Sequence, residues 1–170
     1  MPGADGPLGR RPDAAGLHLM LPAIAVSVPI VRHRLRGWLA TLDWPTPAAE
    51  DLKFVLSEAV TNVIEHAYPP PNRPDPAPPR SGDEAATAPK ETVEILAAVQ
   101  LLDQQARRVR VEVVDRGRWR HPPVNPGSRG HGLITMAAMT DQMSIQHTTP
   151  DRAGTTVILL SPPVPHSPPS

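Results

Sequence analysis

The chain has 170 residues, a length that suits one domain with its own hydrophobic core. Its 17 Lys and Arg residues balance its 17 Asp and Glu residues, so the net charge does not indicate a nucleic-acid or anionic-membrane partner. The sequence has no cysteine, which excludes disulfides and thiolate zinc sites, and no apolar run approaches the ~20 residues that span a bilayer. These features favour a soluble protein of the cytoplasm.

More than half of the 24 prolines lie in two segments without apolar periodicity, YPPPNRPDPAPPRSGDEAATAPK and SPPVPHSPPS. Such segments bury too little apolar surface to offset the loss of chain entropy on folding. We therefore predict a disordered leader at residues 1–16 and a folded domain at residues 17–160 that carries a Pro-rich insertion at 68–90. Residues 161–170 are predicted to form a disordered tail. With free ends on both sides, we expect the domain to stand alone.

The first elements predicted along the chain are a strand and two helices. LHLMLPAIAV (17–26) predicts a strand interrupted by a proline, and Ser27 is the expected N-cap of the first helix. The apolar residues of that helix follow a helical stripe: Val28, Val31, Leu35, Trp38, Leu39 and Leu42. Thr46 and Pro47 open the second helix, with the threonine as cap and the proline at the first helical position. The second helix is predicted to end at Tyr68, before three prolines.

The second helix carries polar residues along the edge of its apolar face. Glu58, Asn62 and His66 follow an i, i+4, i+8 spacing, which places them on one line of an α-helix. A carboxylate can accept a proton from an attacking hydroxyl, and an amide oxygen is a hard ligand that suits Mg²⁺. The same spacing is common on the hydrated flank of ordinary helices, so both interpretations stay open at this point.

Segments 92–102 and 108–115 predict two strands joined as a hairpin. In the second strand Asp115 has the parity of three valines and is therefore expected to face the core, where a carboxylate needs hydrogen-bond partners. Asp115 either completes a turn or accepts the exocyclic amine of a base such as adenine. In the second case, Gly117 lets a flat ring approach the backbone.

The last third of the chain predicts a short helix followed by two strands. Residues 127–133, GSRGHGL, precede a helix near 131–140, and glycines before a helix N-terminus leave backbone N–H groups available to an anion. Strands near 141–148 and 154–161 complete the order β-α-α-β-β-α-β-β, and the last of them opens with GTTV. This order predicts an α+β fold, a two-layer sandwich with a mixed or antiparallel sheet and helices on one face.

Taken in order, EAVTNVIEHAY, VVDRGRW, GSRGHGLITM and GTTV resemble the N box, G1 box, G2 box and closing strand motif of the Bergerat ATP-binding fold. Gyrase-type ATPases, heat-shock chaperones and histidine kinases share this fold. The combination of EAVTN, HAY, D-R-G-R-W and R-G-x-G-L is most similar to the anti-sigma factor serine/threonine kinases of bacterial partner-switching systems. The similarity extends from about residue 17 to residue 160.

The resemblance implies that the domain binds ATP with Mg²⁺. Glu58 is then the general base, and Asn62 is a ligand of the Mg²⁺ that bridges the phosphates. Asp115 accepts a hydrogen bond from the adenine amine, while His66 matches the motif without an implied role. The remaining positions implied to contact ATP are Gly117 beneath the adenine, Arg129, Gly130 and Gly132 in the phosphate lid, and Thr156 on the last strand.

The resemblance also implies a kinase that phosphorylates a STAS-domain anti-anti-sigma protein, sequesters a sigma factor and forms a homodimer. The sequence departs from the family where Trp119 replaces a second glycine of the G1 box and where HPPVNP makes the lid stiffer. One alternative is a regulator that sequesters its partner without kinase turnover. Another is a sensor histidine kinase, but that would need an upstream helix pair, and only 57 residues precede Glu58.

Overall fold

The computed structural model describes residues 16–67, 91–102, 105–117, 131–147 and 154–166. The leader to residue 15, the insertion at 68–90, Trp119 and the HPPVNP segment lie outside the described residues. In chain order the elements are β1 (Leu17–Pro22), α1 (Ser27–Thr41), α2 (Thr46–Asn62), a π-helix (Val63–Ala67), β2 (Thr92–Leu101), β3 (Ala106–Asp115), α3 (His131–Ala138), β4 (Gln142–His147), β5 (Thr155–Leu160) and β6 (Val164–Pro165). This order confirms the predicted α+β fold.

The strands form one sheet in the order β1-β2-β3-β5-β4, with β6 also paired to β3. Every strand pairing among the described residues is antiparallel, which decides between the mixed and antiparallel sheets that the sequence left open. β2 and β3 pair as the predicted hairpin, and β3 then lies at the centre of the sheet. None of the helices in the described part of the chain is long and apolar enough to cross a membrane.

The hydrophobic core lies between the helices and one face of the sheet. Leu19, Ile95, Val113 and Val157 align across four neighbouring strands, and all four are buried. Alternation along each strand sends every second side chain to this face. The helical residues packed against this face have the predicted spacing. Removing one large apolar side chain of this kind from water contributes roughly 1.5–3 kcal/mol to the free energy of folding. The residues are Val31, Leu35 and Leu39 from α1, and Leu52, Val55, Leu56, Ala59 and Val60 from α2.

Both predicted N-caps are wrong by one position. The N-cap of α1 is Val26, and the Ser27 hydroxyl donates to the carbonyl oxygen of Pro22 at 2.6 Å because the chain reverses tightly after β1. The N-cap of α2 is Pro45, so Thr46 is the first residue of that helix. These shifts leave the apolar faces of both helices where the periodicity placed them.

The C-terminal end of the domain is longer than predicted, because Ser161–His166 pack against the sheet. The Ser161 N–H donates to the carbonyl oxygen of Val109 at 2.9 Å, and its Oγ accepts the Val109 N–H at 3.0 Å. The Ser161 hydroxyl takes the place of a backbone carbonyl as the acceptor, and the pairing with β3 continues past the end of β5. Val164 is then buried in the core, so the predicted disordered tail is wrong for residues 161–166; residues 167–170 lie outside the described residues.

Candidate functional site

Asp115 ends β3 on the face that packs against the helices, as the parity of the strand predicts. Its side chain is only 2% exposed, and Oδ1 accepts the N–H of Gly117 at 2.8 Å. This bond is the turn-type contact that aspartate makes with the backbone two residues on. A carboxylate is therefore held in a defined orientation at the end of the central strand, among apolar side chains.

The hydroxyl beside Asp115 belongs to Thr155 and not to Thr156. Thr155 pairs directly with Asp115, whereas Thr156 pairs with Val114, so the Thr156 side chain leaves the opposite face of the sheet. Directly paired residues of an antiparallel ladder have Cβ atoms about 4.5–5.5 Å apart. Thr155 is 1% exposed, and its Oγ1 has no hydrogen-bond partner within the described residues. The register therefore does not fit the predicted part of Thr156, because the hydroxyl on the face of Asp115 is that of Thr155.

Gly117 is in direct contact with the end of the second helical segment. A Cβ built on Gly117 would lie 2.3 Å from the carbonyl oxygen of Ala67 and 2.8 Å from its Cβ. Because no real Cβ tolerates such distances, glycine is required here for a close approach of two backbone segments. This contact joins the turn that follows Asp115 to the helix that carries Glu58 and Asn62.

Glu58 and Asn62 lie one turn apart on the edge of α2, and both are half-buried. Asn62 Nδ2 is buried and has no hydrogen-bond partner among the residues that the structure describes. An amide donor left unsatisfied in this way costs roughly 1–3 kcal/mol. The buried amide of Asn62 therefore indicates a position where a bound polar group completes the hydrogen bonding.

The α-helical geometry ends at Asn62, and a π-helix continues to Ala67. The sequence predicts one regular helix up to Tyr68, which itself lies outside the described residues. In a π-helix the backbone bonds run from i to i+5, so the α-helical spacing that placed His66 on the line of Glu58 and Asn62 no longer applies there. Single π turns are frequent at functional sites, and no residue pattern in the sequence predicts this one.

The first turn of α3 lies against Glu58. A Cβ at Gly132 would be 3.0 Å from Glu58 Oε2, so the glycine allows the helix N-terminus to approach that carboxylate closely. Backbone N–H groups of a first helical turn have no intrahelical acceptor, and the helix dipole favours negative charge there. Arg129 and Gly130 lie outside the described residues, so their predicted part in the lid stays a prediction.

The two halves of this site supply different chemistry. The sheet end offers a carboxylate acceptor and a hydroxyl, at Asp115 and Thr155. The helix edge offers a proton acceptor and an amide, at Glu58 and Asn62. No cluster of three or more His, Asp or Glu residues suited to a metal ion occurs in the described part of the chain.

Comparison with known proteins relates the chain to a family of domains. Residues 21–160 match the family model described as a histidine kinase-like ATPase domain. Among solved structures, the chain is similar to the RsbU and RsbW domains of Rv1364c from Mycobacterium tuberculosis, with 26% sequence identity and a TM-score of 0.60. The match covers 87% of this chain and 32% of that one, so the chain spans about a third of the length of its solved relative.

Proposed function

The chain belongs to the family of histidine kinase-like ATPase domains, and we propose that it is a regulator. In this proposal the chain binds ATP and transfers the γ-phosphoryl group of ATP to another protein. Membership in this family confirms the Bergerat-type fold expected from the four motifs. The acceptor in our proposal is a serine or threonine of a STAS-domain anti-anti-sigma protein. The same chain sequesters a sigma factor and acts as a cytoplasmic homodimer that makes no direct contact with nucleic acid or membrane.

The observation that carries the nucleotide-binding part is the buried pair of Asp115 and Thr155 at the end of the central sheet. A carboxylate on an apolar face accepts an exocyclic amine, and a neighbouring hydroxyl can add a second hydrogen bond to the same ring. This combination selects a base that carries an amine, such as adenine. A hydrogen bond to a charged group of this kind contributes roughly 1.5–3 kcal/mol.

Asn62 fits a complex of ATP with Mg²⁺, because its amide has an oxygen for the metal and a buried Nδ2 that requires an acceptor. When bound, Mg²⁺ neutralises charge on the phosphates during transfer. Gly132 permits the first turn of α3 to lie near the same region, with backbone N–H groups that favour an anion. Together these groups bind and orient the phosphates.

Glu58 acts as the general base in this proposal. Its carboxylate takes the proton of the acceptor hydroxyl as the hydroxyl oxygen bonds to the γ-phosphorus. The bond between that phosphorus and the oxygen bridging to the β-phosphate breaks, and ADP leaves with the electron pair. Phosphoryl transfer depends mainly on alignment and charge stabilisation, so this small set of groups is sufficient.

The first test is calorimetric titration of the whole chain with Mg·ATP, followed by a γ-phosphoryl transfer assay on candidate STAS-domain proteins. We expect ATP binding that is strongly weakened in Asp115→Asn and transfer to a serine or threonine. Binding without transfer to any candidate favours the alternative, a sequestering regulator without turnover. If the wild-type chain does not bind ATP, the proposal fails.

Two variants separate binding from transfer. Asn62→Ala removes both the metal ligand and the buried donor, so we expect it to abolish Mg·ATP binding. Glu58→Ala removes the base, so we expect it to retain ATP affinity while transfer is lost. Calorimetry and the transfer assay are run on both variants side by side, and unchanged ATP affinity in the Asn62 variant contradicts its assignment.

A further inference from the structure

The outer face of the sheet, which points away from the helices, buries side chains that do not belong to the core. Ile158 and Leu160 are at most 5% exposed, yet neither is part of the hydrophobic cluster between the helices and the sheet. Glu112 pairs with Ile158 across the ladder, Arg110 pairs with Leu160, and both charged residues are buried as well. These four residues form a contiguous buried patch at the centre of the outer face.

The patch is buried only at the centre of the sheet. His18 on β1 and Gln142 on β4 point to the same face from the two edge strands, and both are exposed. An arginine is almost never fully buried unless other groups surround it, and its strand neighbours alone leave the tip of the side chain in water. The burial of Arg110 therefore requires further atoms over the middle of this face.

The cover comes from the chain itself, because the exposures are those of a single chain. All the helices in the described part of the chain contribute their buried residues to the cluster on the opposite face. The atoms over the patch therefore belong to a segment outside the described residues.

The short segments do not reach the whole patch. Residues 148–153 join His147 to Gly154 at the end of the sheet where Asp115 lies, and Leu160 is five residues further along β5, about 17 Å away. A six-residue loop that has to return extends only about 10 Å. Residues 167–170 follow His166, whose N–H donates to the carbonyl oxygen of Gln105 at the far end of β3.

Two longer segments have both ends at the nucleotide site. Residues 118–130 lie between Gly117, which contacts Ala67, and the first turn of α3, which lies near Glu58. The insertion at 68–90 begins after the same Ala67 and ends before Glu91, whose carbonyl oxygen accepts the N–H of Ala23 at 2.9 Å. Either segment would have to pass around the end of the sheet before it crossed the outer face.

The leader has the shortest path to the patch. It joins β1 at Leu17, which pairs with Ala97, and Ala97 pairs in turn with Val111 between Arg110 and Glu112. From β1 to β5 there are three strand spacings, about 14 Å, which roughly five extended residues span. Residues 1–15 are long enough for this crossing.

The composition of the leader suits a surface and not a core of its own. Leu8 is the only large apolar side chain between Pro2 and Gly16, so the leader cannot fold by itself. Its prolines restrict the backbone to extended conformations, which lowers the entropy lost when the segment is held on a surface. Its glycines and alanines allow the backbone to lie close to the side chains of a sheet.

We propose that residues 1–15 turn back at the start of β1 and lie across the outer face of the sheet. Leu8 packs on Ile158 and Leu160, and the segment shields the ion pair of Arg110 and Glu112 from water. The leader, predicted to be disordered, is ordered in this proposal by contact with a preformed surface. The inference does not depend on the proposed function, because the patch lies on the opposite face of the sheet from Asp115.

The first test uses the absence of cysteine from the chain, since one introduced thiol is then the sole reporter. Ile158→Cys reports on the patch, and Gln142→Cys is the exposed control on the same face. We expect Ile158→Cys in the whole chain to react with a maleimide at least about tenfold more slowly, because the leader must detach first. Equal rates at the two positions overturn the proposal.

A matched pair of substitutions identifies the covering segment. Leu8→Asp in the Ile158→Cys chain places a charge against the apolar patch, so we expect the thiol to react roughly fivefold faster or more. Ala77→Asp introduces the same side chain in the insertion and is expected to leave the rate unchanged. If only Ala77→Asp raises the rate, or if neither does, the leader is not the cover.

Disulfide formation provides a second, direct measurement in the whole chain. A disulfide requires Cα atoms about 4.4–6.8 Å apart, so Leu8→Cys combined with Ile158→Cys is expected to form one within the chain under mild oxidation. Ala77→Cys combined with Ile158→Cys is the control and is expected to remain reduced. Non-reducing gels and mass spectrometry identify the products. A disulfide that forms only between two chains, or only in the control pair, overturns the proposal.

Discussion

The central strand β3 buries two carboxylates, Glu112 and Asp115, on opposite faces of the sheet. Glu112 is 3% exposed and accepts from Arg110 Nη2 at 2.9 Å and from Arg110 Nε at 3.2 Å. Asp115 is 2% exposed and accepts the N–H of Gly117, beside the buried hydroxyl of Thr155. The two groups have nearly the same burial and differ in what surrounds them.

The difference shows how a structural charge is distinguished from a candidate for ligand binding. Glu112 has a cation two residues away on its own strand, so its charge is compensated inside the sheet. Asp115 is oriented by a backbone N–H at the open end of the strand, where Gly117 brings the helix end close. Burial alone therefore does not identify a site. The position of Asp115 at the end of the strand and the groups on the same face are the reasons to propose it as a ligand-binding residue.

The largest expected effect is on stability, at the ion pair. Arg110→Ala leaves Glu112 buried without its cation, so we expect a loss of about 3–5 kcal/mol in the free energy of unfolding. Urea denaturation measures it, and ATP affinity of the folded fraction should remain that of the wild type. The double variant Arg110→Met, Glu112→Leu is the control and should recover most of the loss. A change below about 1 kcal/mol in the single variant contradicts a structural role for the pair.

A smaller effect, on binding, is expected at the other carboxylate. Asp115→Asn replaces an acceptor of the adenine amine by a neutral amide, and we expect ATP affinity to fall by about 1.5–3 kcal/mol. Glu112→Gln is the matched change on the opposite face and should leave ATP affinity unchanged. Calorimetric titration compares the two variants. If the Glu112 variant loses as much ATP affinity as the Asp115 variant, the result contradicts the proposal that only the carboxylate of Asp115 contacts ATP.

Gly117→Ala tests the contact that closes the site. The added methyl group meets the carbonyl oxygen of Ala67, which is backbone and cannot rotate away, so the two segments must separate. We expect a loss of about 1–3 kcal/mol in stability, in the range of overpacked cores, with weaker ATP binding. Thermal unfolding and calorimetry measure the two effects. The helix glycine Gly37, whose added Cβ has nothing within 4 Å, provides the control substitution to alanine.

The smallest effect distinguishes two adjacent threonines. Thr155→Val removes the hydroxyl beside Asp115 while keeping the shape of the side chain, and we expect ATP affinity to fall by about 0.5–1.5 kcal/mol. Thr156→Val removes a hydroxyl on the opposite face and should not change affinity. Calorimetry decides between them. A loss confined to Thr156→Val would restore the assignment made from the motif alone.

Much of the fold was predictable because periodicity is a local property. The apolar spacing of α1 and α2 and the valine alternation of β3 predicted which side chains are buried, and the structure confirms them. The predictions were wrong where a shift of one residue changes the position of a side chain. A strand reverses faces with every residue, so choosing Thr156 instead of Thr155 moved the hydroxyl to the other side of the sheet. The pairing partner of β5 supplies this information, and no local pattern contains it.

The sequence by itself determined the order of elements, the apolar faces and the four motifs that indicate an ATP-binding fold, because each depends on residues close together in the chain. The tertiary structure alone decided the contact of Gly117 with Ala67, the π-helix after Asn62 and the pairing of β6 with β3. Each of these depends on contacts between segments that are distant in sequence or on a balance of packing against a partner element. The free energies of these contacts are set by the assembled core, so the features form only when the helices and the sheet pack together.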